Sequence, residues 1–138
     1  MQFFLNIEPP TATAQEQKTT VRGGYVRKYD PPGVKAAKQI LDTALAPHRP
    51  PVPMDCPIML IVEWYFPHGG RNKPGTWKTT RPDTDNLQKA LKDRMTRLGF
   101  WKDDSRVCYE IVRKIWSDAP GIMITINDLS LLKPEVMT

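Results

Sequence analysis

Apolar and polar residues alternate along several stretches of the chain, which is the period of a β-strand. The clearest stretch is 56–66, in which one face carries Ile58, Leu60, Val62, Trp64 and Phe66. The other face is also largely apolar, with Glu63 as its only charge. Apolar residues on both faces predict a central strand of a sheet rather than an edge strand.

Further strands are predicted on both sides of this one. Residues 2–8 alternate in the same way, and two adjacent glycines mark the turn of a hairpin over 21–26. The polar segment 11–20 between them predicts a surface loop. Residues 106–117 and 121–127 are separated by a short turn, so we expect these two strands to pair as antiparallel neighbours.

Two segments repeat their apolar residues at the spacing of an α-helix. The first covers 34–45 and the second covers 84–98, whose apolar stripe is formed by Leu87, Ala90, Leu91, Met95 and Leu98. Gly99 is expected to cap the second helix at its C-terminus. The order of elements predicts an α+β fold, with a small mixed β-sheet of about four strands packed with two main helices, in a single domain over 1–138.

The segment 67–82, between the central strand and the second helix, differs in composition from both. It is rich in turn-forming residues, contains no acid, and carries Arg71, Lys73, Lys78, Arg81 and one aromatic residue, Trp77. A connection of this length without regular structure is typical of functional or mobile segments. We expect its cations to contact nucleic-acid phosphates, and Trp77 either to stack on an unpaired base or to fold onto the protein surface.

The overall charge also favours a polyanionic partner. The 138 residues include 20 Lys and Arg against 15 Asp and Glu, which gives a formal net charge of +5 and a pI near 9.3. No apolar run approaches the roughly 18 residues that cross a bilayer. The N-terminus lacks a basic start and a small-residue cleavage site, so we expect a cytoplasmic protein without a membrane partner.

Acidic residues are concentrated at the start of the second helix and in the turn that follows it. The polar residues concerned are Asp83, Asp85, Asn86, Lys89, Asp93, Asp103 and Asp104. Asp85, Lys89 and Asp93 are spaced four residues apart and form a stripe separate from the apolar one. Carboxylates are the ligands that Mg²⁺ prefers, and a neighbouring lysine can stabilise charge on a phosphate. The pattern predicts a metal-dependent enzyme acting on nucleic acid.

Each of these features also has an ordinary structural explanation. Asp83 or Asp85 can cap the helix, and Asp85 with Lys89 can form a surface ion pair. Asp103 and Asp104 can belong to a polar turn. The residues alone leave these alternatives open. They also leave open whether Lys114, within a predicted strand, points toward the acids or lies on a solvated face.

Two blocks of the sequence resemble a known family. Residues 83–93 read D-x-D-N-x-x-K-x-x-x-D, residues 99–107 read G-x-W-x-D-D-x-x-V, and Lys114 follows along the next strand. Together they resemble the RusA family of Holliday junction resolvases, which are small bacterial and prophage endonucleases. The resemblance implies a RusA-like fold and a cytoplasmic endodeoxyribonuclease, bacterial or prophage-encoded, that resolves four-way DNA junctions in recombination and repair.

The same resemblance implies roles for individual residues. The catalytic set would be Lys89 with three carboxylates that bind Mg²⁺, or Mn²⁺ in its place: Asp83, Asp85 and Asp104. The supporting residues would be Asn86, Asp93, Asp103 and Lys114. The enzyme would be a homodimer that nicks two opposed strands symmetrically, matching the two-fold symmetry of the junction. The alternative is a non-catalytic protein of the same fold that binds branched DNA, with its aspartates serving only as caps and ion pairs.

Overall fold

The computed structural model describes residues 1–11, 18–22 and 24–136. Its centre is a four-stranded mixed sheet in the order β1-β6-β4-β5. The strands are β1 (Gln2–Leu5), β4 (Ile58–Pro67), β5 (Val107–Ser117) and β6 (Gly121–Asp128). β4 pairs parallel with β5 on one side and antiparallel with β6 on the other. The predicted α+β class and the central position of β4 are confirmed.

The expected pairing of the last two strands is wrong. β5 and β6 run antiparallel but do not touch as neighbours, because β4 lies between them and pairs with both. The short turn after β5 therefore crosses the end of β4 instead of closing a hairpin. β4, which is apolar on both faces, thus has the interior position in the sheet that this pattern predicts.

Two helices cover one face of the sheet. Helix α1 spans Pro32–Leu45 and continues into a short 3₁₀ turn over Ala46–His48, and helix α2 spans Thr84–Arg97. Leu41 and Leu45 of α1, with Leu87, Leu91 and Met95 of α2, are buried against the apolar residues of β4 and β6. No helix in the described ranges is long and apolar enough to cross a membrane.

Helix α2 ends in the way that the sequence predicts. Gly99 has a positive φ of 82°, which places it in the left-handed region that favours glycine. The amide of Phe100 donates to the carbonyl of Met95, and the amide of Gly99 donates to that of Thr96. These two bonds form a Schellman motif, which stops the helix and directs the chain into the turn that carries Asp103 and Asp104.

The N-terminal region differs in its boundaries from the prediction. β1 ends at Leu5, earlier than the predicted 2–8 strand. Strands β2 (Lys18–Arg22) and β3 (Tyr25–Tyr29) form the predicted hairpin as a separate two-stranded sheet. β2 thus begins inside the segment expected to be a loop, whose residues 12–17 lie outside the described ranges, as does Gly23.

The face of the four-stranded sheet opposite the helices is the open sheet face. By strand register it carries eight apolar or aromatic residues: Phe4, Met59, Ile61, Tyr65, Tyr109, Ile111, Ile115 and Met123. Tyr109 is 54% exposed and Ile111 44% exposed. Glu63 and Arg113 form an ion pair of 3.0 Å on this face. Both described helices belong to the core on the other side, so neither of them covers this surface.

Candidate active site

The basic loop 67–82 is fastened to the free edge of β5. The carbonyl of Trp116 accepts from the amide of Gly75 at 2.8 Å, and the amide of Trp116 donates to the carbonyl of Thr76 at 2.9 Å. The amide of Lys78 donates to the carbonyl of Lys114 at 3.1 Å. The loop therefore pairs with backbone groups of the edge strand that would otherwise be free. This pairing fixes the end of the loop, just before helix α2.

Four of the five residues predicted to bind DNA lie exposed on this loop: Arg71, Lys73, Trp77 and Arg81. Trp77 is 66% exposed, so much of its ring surface is open to solvent, as stacking on a base would require. The fifth, Lys78, contradicts the expectation, because only 8% of its surface is accessible.

Lys78 is placed to hold the loop together. Its ammonium lies 4.2 Å from the ring centroid of Trp116 and 4.9 Å from that of Phe66, and it donates to the hydroxyl of Thr80 at 2.7 Å. Burial lowers the pKa of Lys78, and the nearby charge of Lys114 lowers it further. A side chain so enclosed cannot act as a phosphate contact on the surface.

Lys114 binds the backbone that leads into α2. Its ammonium donates to the carbonyls of Thr80 and Pro82, both at 2.8 Å. It does not lie on a plain solvated face, and the bonds that it makes are to the backbone rather than to the acids. By holding Pro82, Lys114 fixes the residue directly before Asp83.

The two aspartates at the helix start leave their carboxylates exposed. Asp83 occupies the N-cap position, yet its side chain makes no capping hydrogen bond. Asp85 lies in the first turn of the helix, where the positive end of the helix dipole favours an anion. The capping explanation therefore does not account for Asp83.

The turn that carries the other two aspartates is a short 3₁₀ turn over Asp104–Arg106. Asp103 caps it, because its carboxylate accepts from the amide of Ser105 at 3.2 Å. Hydrogen bonds from the side chain and the amide of Ser105 hold the pKa of Asp103 below its usual value. Trp101, buried beneath the turn, donates its indole N–H to the hydroxyl of Thr96 at 2.7 Å. Asp103 thus has the structural role of a polar turn, and Asp104 is left exposed.

One pocket collects several of the predicted site residues. Its volume is about 500 Å³ and it lies between α2 and β5, lined by Thr84, Asp85, Gln88, Lys89, Lys92, Asp104, Glu110 and Val112. We call it the Asp85–Asp104 pocket. Lys89 and Asp104 also border a second groove, between α1 and α2, together with Asp93 and Asp103. Lys89 lies 3.6 Å from Asp93 in an ordinary i, i+4 ion pair.

The expected ligand set of three aspartates is not gathered in one place. Asp83 and the half-buried Asn86 do not line the Asp85–Asp104 pocket. Within the described residues, no group of three or more Asp, Glu, His or Cys side chains could hold a metal ion. Asp83 precedes α2 at its N-cap, whereas Asp85 in the first turn of the helix and Asp104 in the turn after it both line the pocket.

Comparison with known proteins then decides the family. The family model for endodeoxyribonuclease RusA matches residues 8–127, which is most of the chain. The chain belongs to the RusA family. This confirms the resemblance seen in the two motif blocks, and with it the prediction of an endodeoxyribonuclease of the RusA family.

Individual relatives match between 36% and 93% of the chain. A crossover junction endodeoxyribonuclease of Lactococcus phage r1t is 27% identical over 93% of this chain and 98% of its own length. The uncharacterized protein YqaN of Bacillus subtilis strain 168 is 31% identical, covering 80% of this chain and 85% of its own length. The crossover junction endodeoxyribonuclease RusA of Escherichia coli K12 is 40% identical over a shorter region, 36% of this chain and 42% of its own length.

The Asp85–Asp104 pocket also contains residues that the sequence analysis missed. They are Gln88 and Glu110, and hydrogen bonds join Glu110 both to Gln88 and to Lys92, a cation that also lines the pocket. A signal for Glu110 existed in the sequence, since it precedes Lys114 by four residues and so lies on the same face of its strand. Its relation to α2 depends on the parallel pairing of β4 with β5, which the sequence analysis did not predict.

Proposed function

We propose that this RusA-family endodeoxyribonuclease resolves four-way DNA junctions, using Mg²⁺ and cutting two opposed strands symmetrically during recombination and repair. The observation that carries the proposal is the Asp85–Asp104 pocket, where Asp85, Asp104 and Lys89 line one water-accessible site. The loop 67–82, which carries exposed cations, leads directly into the N-terminal end of α2. The names of the phage and E. coli relatives, crossover junction endodeoxyribonucleases, support the choice of substrate.

The donor chemistry of the pocket suits Mg²⁺. This ion is usually held by one or two carboxylates, with water and substrate phosphate completing its shell. Asp85 and Asp104 supply two such carboxylates, and Asp83 is a third candidate immediately before the helix. When bound, Mg²⁺ would polarise the scissile phosphate and activate water for attack.

The protein's own residues would do the remaining work. Lys89, which lines the same pocket as Asp85 and Asp104, would stabilise the charge that develops on the phosphate. Arg71, Lys73 and Arg81 would bind phosphates of the DNA backbone, so their contribution should weaken as salt is raised. Trp77 would stack on a base left unpaired near the crossover.

Cleavage of a synthetic four-way junction with labelled strands tests the proposal. The wild type with Mg²⁺ should release paired nicks at symmetric positions, whereas Asp85→Asn should bind the junction but not cut it. Glu135→Gln, at an exposed carboxylate beyond β6, is the control and should cut normally. If the wild type cuts linear duplexes but leaves the junction intact, the proposed substrate is wrong.

We propose that the enzyme is a homodimer formed through the open sheet face. An exposed apolar face of this extent on a small protein is typical of an interaction surface. If two copies packed through this face, Tyr109 and Ile111 would be buried between them. The two sheets would lie about 10 Å apart. A two-fold axis through this contact would present two active sites to the two opposed strands of a junction.

The oligomeric state tests the dimer. In light scattering after size-exclusion chromatography, the wild type should elute with twice the mass of the 15.8 kDa chain. Ile111→Asp should reduce that mass to one chain, while the control Ile40→Asp, at a 52% exposed isoleucine of α1, should leave it unchanged. A wild-type monomer, or equal effects of both substitutions, would contradict the interface.

A further inference from the structure

A continuous set of hydrogen bonds runs from the protein core to the wall of the Asp85–Asp104 pocket. The indole N–H of Trp64 on β4 donates to Oε1 of Gln88 on α2 at 2.9 Å. Nε2 of Gln88 donates to Oε2 of Glu110 on β5 at 3.0 Å. Nζ of Lys92 donates to Oε1 of Glu110 at 2.6 Å. Gln88, Lys92 and Glu110 line the pocket, and Trp64 lies fully buried behind them.

Gln88 is an unusual residue for its position. Only 4% of its surface is accessible, and it belongs to the buried side of α2 with Leu87, Leu91 and Met95. Placing an amide there costs free energy unless its polar atoms are hydrogen-bonded. Both ends of the Gln88 amide are bonded, so the side chain is held without an unsatisfied group.

The direction of each bond follows from the chemistry of Trp64. An indole N–H can only donate, so it must meet the amide oxygen of Gln88. The amide NH₂ then faces Glu110 and can only donate, so the carboxyl oxygen that it meets must accept. The buried tryptophan therefore sets the orientation of Gln88, and Gln88 in turn fixes one oxygen of the Glu110 carboxylate. The second oxygen is left to bind Lys92.

We propose that Glu110 is a positioning residue of the active site. Anchored by Gln88 and Trp64, it fixes the ammonium of Lys92 on the wall of the Asp85–Asp104 pocket, where Lys92 binds a phosphate of the strand being cut. An ammonium has three donors, and one bond to Glu110 leaves two for phosphate oxygens. The inference deepens the proposed nuclease function and rests on it.

Holding Lys92 in place before DNA binds should favour cleavage. A free lysine side chain samples many rotamers, and ordering it when DNA binds would cost free energy. A lysine held beforehand avoids that cost and meets the phosphate in a defined place. Within the described residues, Lys89 pairs with Asp93 at the longer distance of 3.6 Å, so the two cations of the pocket differ in how firmly they are held.

Single-turnover cleavage of the junction, at saturating enzyme and Mg²⁺, tests the assignment. Glu110→Gln should cut about 10- to 100-fold more slowly, because misplacing a positioned group by roughly 1 Å has an effect of that order. Lys92→Met should slow cleavage similarly, and the double variant should be no slower than the slower single variant. Asp30→Asn is the matched control, since Asp30 binds Lys38 at the same 2.6 Å away from this pocket.

A spectroscopic readout separates positioning from simple stabilisation. The indole N–H signal of Trp64 in a ¹H–¹⁵N spectrum, assigned with Trp64→Phe, should move in Glu110→Gln and stay in place in Asp30→Asn. Unfolding in urea, measured in parallel, shows how much stability each variant has lost. A variant that only loses stability would cut at the wild-type rate at a temperature where it is folded.

Several results would overturn the assignment. If Glu110→Gln or Lys92→Met cuts at the wild-type rate, Glu110 has no positioning role. If Glu110→Gln fails to fold, Lys92→Met still tests the assignment. Recovery of Glu110→Gln at higher Mg²⁺ would make Glu110 a metal ligand instead. If the fold-losses in cleavage rate of the two single variants multiply in the double variant, Glu110 and Lys92 act independently. If the wild type cuts no DNA at all, the proposed function falls as well, whereas an active wild type with an active Glu110→Gln refutes only this inference.

Discussion

Lys114→Met should both destabilise the protein and slow cleavage, because Lys114 fixes the backbone in front of the candidate active site. Its ammonium makes two bonds of 2.8 Å, to the carbonyls of Thr80 and Pro82. Hydrogen bonds involving a charged group contribute roughly 1.5–3 kcal/mol each. The bond to Thr80 is exposed and water can replace it, so we expect a loss of about 2 kcal/mol in the free energy of unfolding for both bonds together.

Urea denaturation and junction cleavage measure the two effects. With an m-value of about 2 kcal/mol/M, the midpoint should fall by about 1 M. Release of Pro82 should let Asp83 move, and a displacement of about 1 Å is enough to slow cleavage by 10-fold or more. Lys35→Met, at an exposed lysine of α1, is the control and should change neither quantity.

The opposite pattern would refute this reasoning. If Lys114 acted only as a surface charge, Lys114→Met would leave the urea midpoint unchanged and weaken binding to all DNA alike. The dependence of binding on salt would also become shallower, by roughly one released counterion. Lys114→Arg would then behave as the wild type, since it keeps the charge, whereas a clamp built for an ammonium should be disturbed by the larger guanidinium.

Two further predictions concern stability. A Cβ at Gly121 would lie 2.7 Å from the carbonyl oxygen of Leu5, so Gly121→Ala should displace β1 and lower the free energy of unfolding by about 1–3 kcal/mol. Gly69→Ala meets no atom within 4 Å and should shift the urea midpoint little, and equal midpoints for both variants would contradict the crowding. Lys78 has a lowered pKa, so the folded state binds fewer protons than the unfolded state between that pKa and the ordinary 10.5. The free energy of unfolding should therefore rise with pH in that window for the wild type but not for Lys78→Met, and the same slope in both would show that Lys78 is not desolvated.

Local patterns predicted those parts of the fold that depend on neighbours along the chain. The alternation in β4 identified a strand with two apolar faces, and Gly99 identified the end of α2, because a left-handed cap needs no distant partner. The pairing of β5 with β6 was predicted wrongly for the same reason. A short turn favours a hairpin locally, whereas the insertion of β4 between the two strands is a pairing of segments that are far apart in the sequence.

In the candidate site too, local patterns identified some residues and could not identify those that depend on distant contacts. The motif blocks located Asp85, Lys89 and Asp104, which the structure places in one pocket. They could not separate Lys78, buried under Trp116, from the exposed cations of the same loop, because charge along a sequence carries no information on burial. Glu110 entered the site only through the packing of α2 across β5, a contact between segments that are far apart in the sequence.

The fastening of the loop 67–82 to β5 also bears on how the protein avoids aggregation. An edge strand with free backbone groups is a template for adding another chain, and β5, at 11 residues, is a long one. The backbone bonds of residues 75–78 occupy the edge around Lys114 to Trp116. The part left open carries Glu110 and Arg113, charges of the kind that oppose strand addition. A variant that released the loop would therefore lose solubility along with its hold on DNA.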